Sequence, residues 1–155
     1  MIFFQEALAI AIGLGDKRGT GYDLGNLGLV YREQGELVRT IEYYIKALAI
    51  AQEMDDLRAE SFWLGRIGSA KVALGEAEQS LRYFDDSLAI ARYSGYKREE
   101  GFALYEKALA LDQLGRHQEA IASAQAALAL YQQIEYKDLP KVRAKLEEWN
   151  ALPPT

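Results

Sequence analysis

The chain has 155 residues, 50% of them hydrophobic and 26% charged, with a net charge of −5 and no cysteine. Disulfides and thiolate metal sites are excluded, and 18 basic residues interleaved with 23 acidic ones leave no basic face for a phosphate backbone, so nucleic acid is not an expected partner. No apolar run approaches the roughly twenty residues that a membrane-spanning helix needs, and Met1-Ile2-Phe3-Phe4 runs into Gln5 and Glu6 without the features of a signal peptide.

Residues 1–14 carry Phe4, Ala7, Leu8 and Ala11 on one stripe and predict a first helix. A second, over 18–34, places Leu24, Leu27, Gly28 and Tyr31 at i, i+3, i+4 and i+7. Gly35 stops it, since glycine enters the left-handed region cheaply. The third helix, 37–54, repeats the pattern with Ile41, Tyr44, Ile45 and Leu48, and a break follows at Met54-Asp55-Asp56. Helices at 57–74, 77–94, 97–114 and 117–135 come next, parted at Gly75, at Ser94-Gly95-Tyr96 and at Gly115. After the break at Glu135-Tyr136-Lys137, Leu139, Val142, Leu146 and Trp149 form the apolar stripe of a last helix over 139–150. Asp138 can cap it and Pro140 suits its first turn. Residues 151–155 read as a tail. No segment alternates with period two, so the fold class is all-α.

One period governs most of this order. Ala-Leu-Ala-Ile-Ala at residues 7–11 returns at 47–51, as Ser-Leu-Ala-Ile-Ala at 87–91, and in part at 127–130, forty residues apart each time. Leu24, Leu64 and Leu104 are in phase; so are Gly28, Gly68 and Ala108, and Gly35, Gly75 and Gly115. A fixed period of this size marks a stack of one small unit, here two helices. The expected organisation is a single array over 1–150: a half repeat (1–14), full repeats (17–54, 57–94, 97–135), and a capping helix (138–150) whose apolar positions are out of phase with the repeat.

Leu24, Leu27, Gly28, Tyr31, Gly35, Tyr44, Ala47 and Leu48 fill the slots of the tetratricopeptide repeat, which this chain strongly resembles. The next repeat fills them with Leu64, Ile67, Gly68, Lys71, Gly75, Ser80, Phe84, Ser87 and Leu88. The third fills them with Leu104, Lys107, Ala108, Leu111, Gly115, Ala120, Ala124, Ala127 and Leu128. Lys71 and Lys107 at core slots, and Ala124 for the aromatic, suggest looser packing. The usual period of the family is about 34; the extra residues here lengthen the helices around 50–60. Arrays of this longer type resemble those of large bacterial regulatory proteins. The resemblance implies a TPR-like α–α superhelix whose first helices line a concave groove that takes a peptide or protein ligand.

By helical phase the groove is lined by Tyr22, Asn26, Leu29 and Arg32, then Phe62, Arg66 and Ser69, then Phe102, Tyr105 and Glu106. Tyr22, Phe62 and Phe102 make an aromatic row, read either as ligand contacts or as packing between repeats. Gly25 and Gly65 beside it are expected to leave room for a bound backbone. Trp63 is expected to pack near Ile45 or Leu48, and Trp149 to anchor the cap. No catalytic site is expected. His117 is the only histidine, adjacent carboxylates such as Asp85-Asp86 diverge on a helix, and the glycine-rich run Gly13 to Gly21 lacks the ending of a phosphate loop. No cofactor or metal is expected, and the cytoplasm is the expected location. The function read from the chain is a protein-interaction scaffold; the alternative is a structural spacer or oligomerisation module with an empty groove. Residues 1–14 match only a second helix, so self-association through an apolar face around Phe4, Ala7, Leu8 and Ala11 is also expected.

Overall fold

Apolar positions at helical spacing, interrupted every twenty residues by a left-handed residue, give eight helices in the computed structural model, which describes residues 1–152. They are α1 (Ile2–Gly13), α2 (Lys17–Glu33), α3 (Leu37–Glu53), α4 (Leu57–Ala73), α5 (Ala77–Ser94), α6 (Lys97–Gln113), α7 (His117–Gln133) and α8 (Leu139–Glu148). Among the described residues there is no strand, and no helix is long and apolar enough to cross a membrane. Of the expected tail, Ala151 and Leu152 follow α8 outside any helix, and residues 153–155 lie outside the described residues.

The turns explain the regularity. Gly35 and Gly75 adopt φ of 78° and 86°, which reverses the chain and brings the next amides back over the helix end. The Glu36 N–H then donates to the Tyr31 carbonyl at 2.9 Å, and the Glu76 N–H to the Lys71 carbonyl at 2.8 Å. Asp55 and Glu135 make the same turn with side chains attached, at φ of 53° and 48°. At the other end of the turns, Asp16 and Asp56 cap α2 and α4 by accepting from the N–H groups of Gly19 and Ala59.

Consecutive helices pack antiparallel as hairpins α2–α3, α4–α5 and α6–α7, and these stack into a TPR-like superhelix. Gly28 lets α2 close on α3: a Cβ there would stand 2.6 Å from the Tyr44 ring. Gly68 does the same for Phe84, also at 2.6 Å. In the third hairpin these positions are Ala108 and Ala124, both fully buried, and the ring has moved. It is Tyr131, seven residues further along α7, and it fills a hole left by Gly101, seven residues earlier in α6. Opposite shifts of two turns keep the antiparallel register, so the hairpin exchanges one ring-in-glycine contact for another. Looser packing at Ala124 is therefore corrected: Ala108, Ala120, Ala124 and Ala127 are all at 0% exposure.

The lysines at core slots are accommodated by ion pairs at the rim. Lys71 reaches Glu76 at 2.6 Å and Lys107 reaches Asp85 at 2.6 Å, with the two lysine side chains largely covered; long cationic side chains can bury their stems while the charged head stays at the surface. The cap α8 inserts Val142 and Leu146, both fully buried, into the cluster that holds Leu104, Leu128 and Tyr131. Trp149 packs at its edge, with His117 5.6 Å away.

At the other end, Ala11 is buried and Phe4, Ala7 and Leu8 are partly covered. The uncovered side of α1 is carried instead by Ile2, Phe3 and Ile10, exposed by 72%, 73% and 62%. Phe3 and Ile10 are in phase with Tyr43 and Ile50. Those two pack on α2, against the Tyr31 ring and beside Gly21.

Candidate peptide-binding groove

Each first helix presents one side chain per turn to the inner face, at i, i+4, i+8 and i+11. On α2 the series is Arg18, Tyr22, Asn26 and Leu29; on α4 it is Arg58, Phe62, Arg66 and Ser69; on α6 it is Arg98, Phe102, Glu106 and Leu109. Between these helices opens a cavity of about 450 Å³, lined by Arg18, Tyr22, Asn26 and Leu29, by Asp56, Arg58, Ala59, Phe62 and Trp63, and by Arg98 and Glu99. That volume is in the range of pockets that hold small molecules or peptide side chains. Four of the expected groove residues, Tyr22, Asn26, Leu29 and Phe62, meet in it.

The others are arranged differently. The Arg66 guanidinium lies between two rings, 5.0 Å from the centroid of Phe62 and 4.4 Å from that of Phe102, a doubled cation–π contact. Arg32 crosses from α2 to α4 and donates to the Ser69 hydroxyl at 2.9 Å. Tyr105 and Glu106 are buried, at 5% and 9% exposure, with Lys141 of α8 over the Tyr105 ring at 5.4 Å. The open stretch of the inner face thus runs from α2 to α4 and narrows towards the cap.

Room for a bound backbone at Gly25 and Gly65 is corrected. A Cβ on Gly25 would meet Trp63 at 2.0 Å, and one on Gly65 would meet the Phe102 ring at 3.2 Å. These glycines admit rings from the following repeat. Trp63 lies over Gly25 with its ring 5.3 Å from that of Tyr44, in a cluster with Leu48, while Ile45 is exposed. In the aromatic row, Phe102 packs between repeats, Phe62 is half-buried, and Tyr22 is 55% exposed.

Beneath the groove, Arg32 Nη1, Arg66 Nε and the Tyr44 hydroxyl are buried without a hydrogen-bond partner. Burial pushes the Tyr44 phenol above its usual range, while the two guanidiniums pull it back. Burial likewise raises Tyr105, with Glu106 adding to the effect. His117 pairs with Asp112 at 2.9 Å at the far end of α6, away from the cavity. Among the described residues no three metal-binding side chains stand together.

The residues that sequence reading passed over are three further arginines. Arg18, Arg58 and Arg98 recur at the repeat period one turn before the aromatic row. Among the described residues the carboxylate buried beside them is that of Glu99, with its side chain at 4% exposure, 3.3 Å from Arg98 and 4.0 Å from Arg58. The signal was legible as a period-forty series.

Two family models, each described as tetratricopeptide repeat, match residues 58–133 and 24–54. The chain belongs to the tetratricopeptide repeat family. Among solved structures, this tetratricopeptide array is similar to the crystal structure of the apo form of RapI, with a TM-score of 0.79 at 18% identity. The match covers 95% of this chain and 43% of the RapI chain, and at that identity it shows the fold. Comparison with curated proteins gave no match. Tetratricopeptide arrays are protein–protein interaction scaffolds, built on the extended concave surface that stacked helical repeats create.

Proposed function

We propose that this tetratricopeptide array is a non-catalytic scaffold that holds a peptide segment of a protein partner in the groove between α2 and α4. The observation that carries the reading is the cavity of about 450 Å³, in which an exposed Tyr22, a half-buried Phe62, Leu29 and the amide of Asn26 converge. Aromatic and aliphatic walls take an apolar side chain, and the asparagine amide can both donate to and accept from a peptide backbone. Arg66, clamped between Phe62 and Phe102, keeps the Phe62 ring in place. The reading assigns the scaffold to the cytoplasm, with which a cysteine-free chain is compatible. A displayed library of random peptides selected on the wild-type array tests it. Enriched peptides should lose capture by Tyr22→Ala and Phe62→Ala while helicity stays intact; equal capture by both variants would refute it.

The exposed apolar side of α1 favours a second role, self-association. Phe3 and Ile10 are in phase with Tyr43 and Ile50, which meet the first helix of their own hairpin, and Ile2 is exposed beside them; covering a Phe or Ile is worth about 1.5–3 kcal/mol each. A second copy applying the same face would close a two-fold dimer. Sedimentation over a concentration series, beside a Phe3→Glu, Ile10→Glu variant, separates a dimer from a monomer.

A further inference from the structure

Phe3, Tyr43, Tyr83 and Ser123 stand forty residues apart, at one register position of the helices α1, α3, α5 and α7. In the two middle helices the ring has a floor. Tyr43 stacks on Tyr31 of α2 with centroids 5.2 Å apart. Tyr83 is half-buried against the cluster that holds Ile67 and Ala70 of α4, its ring centroid 5.9 Å from Lys71. In α1 and α7 ring and floor come apart. Phe3 keeps the ring but is 73% exposed. Ser123 keeps the floor, Leu104, Lys107 and Leu111 of α6, without a ring to lay on it, and its hydroxyl donates to the Leu104 carbonyl at 2.7 Å. The space left open is a cavity of about 560 Å³ between α5 and α7.

The wall of that cavity changes in step. Arg82 and Asp86, both exposed, flank Tyr83; their counterparts beside Ser123 are Ala122 and Ala126, also exposed, and both line the cavity. Where the preceding repeat sets charged side chains in water, this one sets methyl groups, over which another chain can approach closely. We infer that the crevice between α5 and α7 receives Phe3 of a second copy of this chain. Two copies do so reciprocally, each placing its exposed ring on the other's empty floor across a two-fold axis. The inference rests on the self-association reading and names the surface that α1 meets; contact of two α1 helices through the same face is its rival.

The chemistry fits on both sides. A ring laid over Leu104 and Leu111 takes its apolar surface out of water, and the Lys107 ammonium, held by Asp85 at 2.6 Å, supplies a cation beside it. Among its twelve residues α1 brings one charged side chain, Glu6. The charges around the crevice balance, Asp85 and Glu119 against Arg92 and Lys107, so no like-charge field opposes the contact.

Sedimentation of the full chain over a concentration series should show a monomer–dimer equilibrium. Ser123→Tyr supplies the ring from the same chain and should weaken the dimer about tenfold or more. So should Ala126→Asp, which restores the charge that Asp86 carries in the preceding repeat; Ala126 is exposed, so this variant tests the contact without disturbing the core. Ser123→Ala leaves the cavity open and should leave the dimer unchanged. Phe3→Glu loses the ring and keeps the floor, while Ser123→Tyr keeps the ring and fills the floor. Each alone should associate weakly, and an equimolar mixture should regain dimer, because the pair still makes one of the two contacts. A dimer lost in Phe3→Glu but indifferent to Ser123→Tyr and Ala126→Asp, with no rescue on mixing, would overturn the crevice and leave α1 self-association standing. A chain that stays monomeric, or a dimer indifferent to Phe3→Glu, would overturn both.

Discussion

If hairpins close by fitting a ring into a glycine hole, the second hairpin can be converted to the arrangement of the third. In Gly68→Ala the new Cβ would stand 2.6 Å from Phe84, a ring at 0% exposure, where ordinary contact begins near 3.4 Å. Ring or helix must move by most of an ångström. Overpacking of this kind costs about 1–3 kcal/mol, offset by about 1 kcal/mol because alanine is the better helix former. Phe84→Ala alone empties the space of a buried ring and costs about 3–5 kcal/mol. In the double variant the clash is gone, and the pair reproduces Ala108 with Ala124. A double-mutant cycle by urea denaturation should therefore show the double variant about 1–3 kcal/mol more stable than the sum of the singles. Additive effects, within a few tenths of a kcal/mol, would refute this account of how the helices meet.

At the turns, Glu135→Gly should raise stability by about 0.5–1 kcal/mol in denaturation, because a left-handed Glu135 (φ 48°) costs about 1–2 kcal/mol before glycine's own entropy is counted; Gly75→Ala should lower it. Alkaline pH should destabilise the fold. Burial raises the phenols of Tyr44, Tyr105 and Tyr131 above their ordinary value of about 10, so above that pH the unfolded chain ionises first. The contribution is whole below pH about 10 and is lost as pH rises past it, and Tyr131→Phe should flatten the decline seen by thermal melting. In the groove, Phe62→Ala should weaken a selected peptide by about 2 kcal/mol or more, read by fluorescence anisotropy, with an unchanged circular dichroism spectrum.

The helices and their pairing were legible because the signals are local: glycine at Gly35, Gly75 and Gly115 marks each reversal, and leucine and alanine at helical spacing mark each buried stripe. The phase of Gly28 and Gly68 even told where paired helices approach. What fills a glycine hole is set by contacts some forty residues away, so Gly25 and Gly65 read equally well as space for a ligand or for Trp63 and Phe102. The cover on Tyr105 was hidden for the same reason, since Lys141 reaches it from a helix outside the repeat. In α1 a helix with apolar residues on both sides offered two candidate faces, and packing on α2 selected Phe4 and Ala11 over Phe3 and Ile10. The arginine row was visible in register, but interleaved acids masked it when charge was read by stretch and not by phase.

The central claim, a peptide seated between α2 and α4, is met most directly by mapping backbone amide shifts while a library-selected peptide is titrated into the labelled array. The account predicts changes concentrated at Tyr22, Asn26, Leu29, Ala59 and Phe62, with α5 and α7 unmoved. Changes centred on α1 or on the outer helices, with those five residues silent, would contradict it.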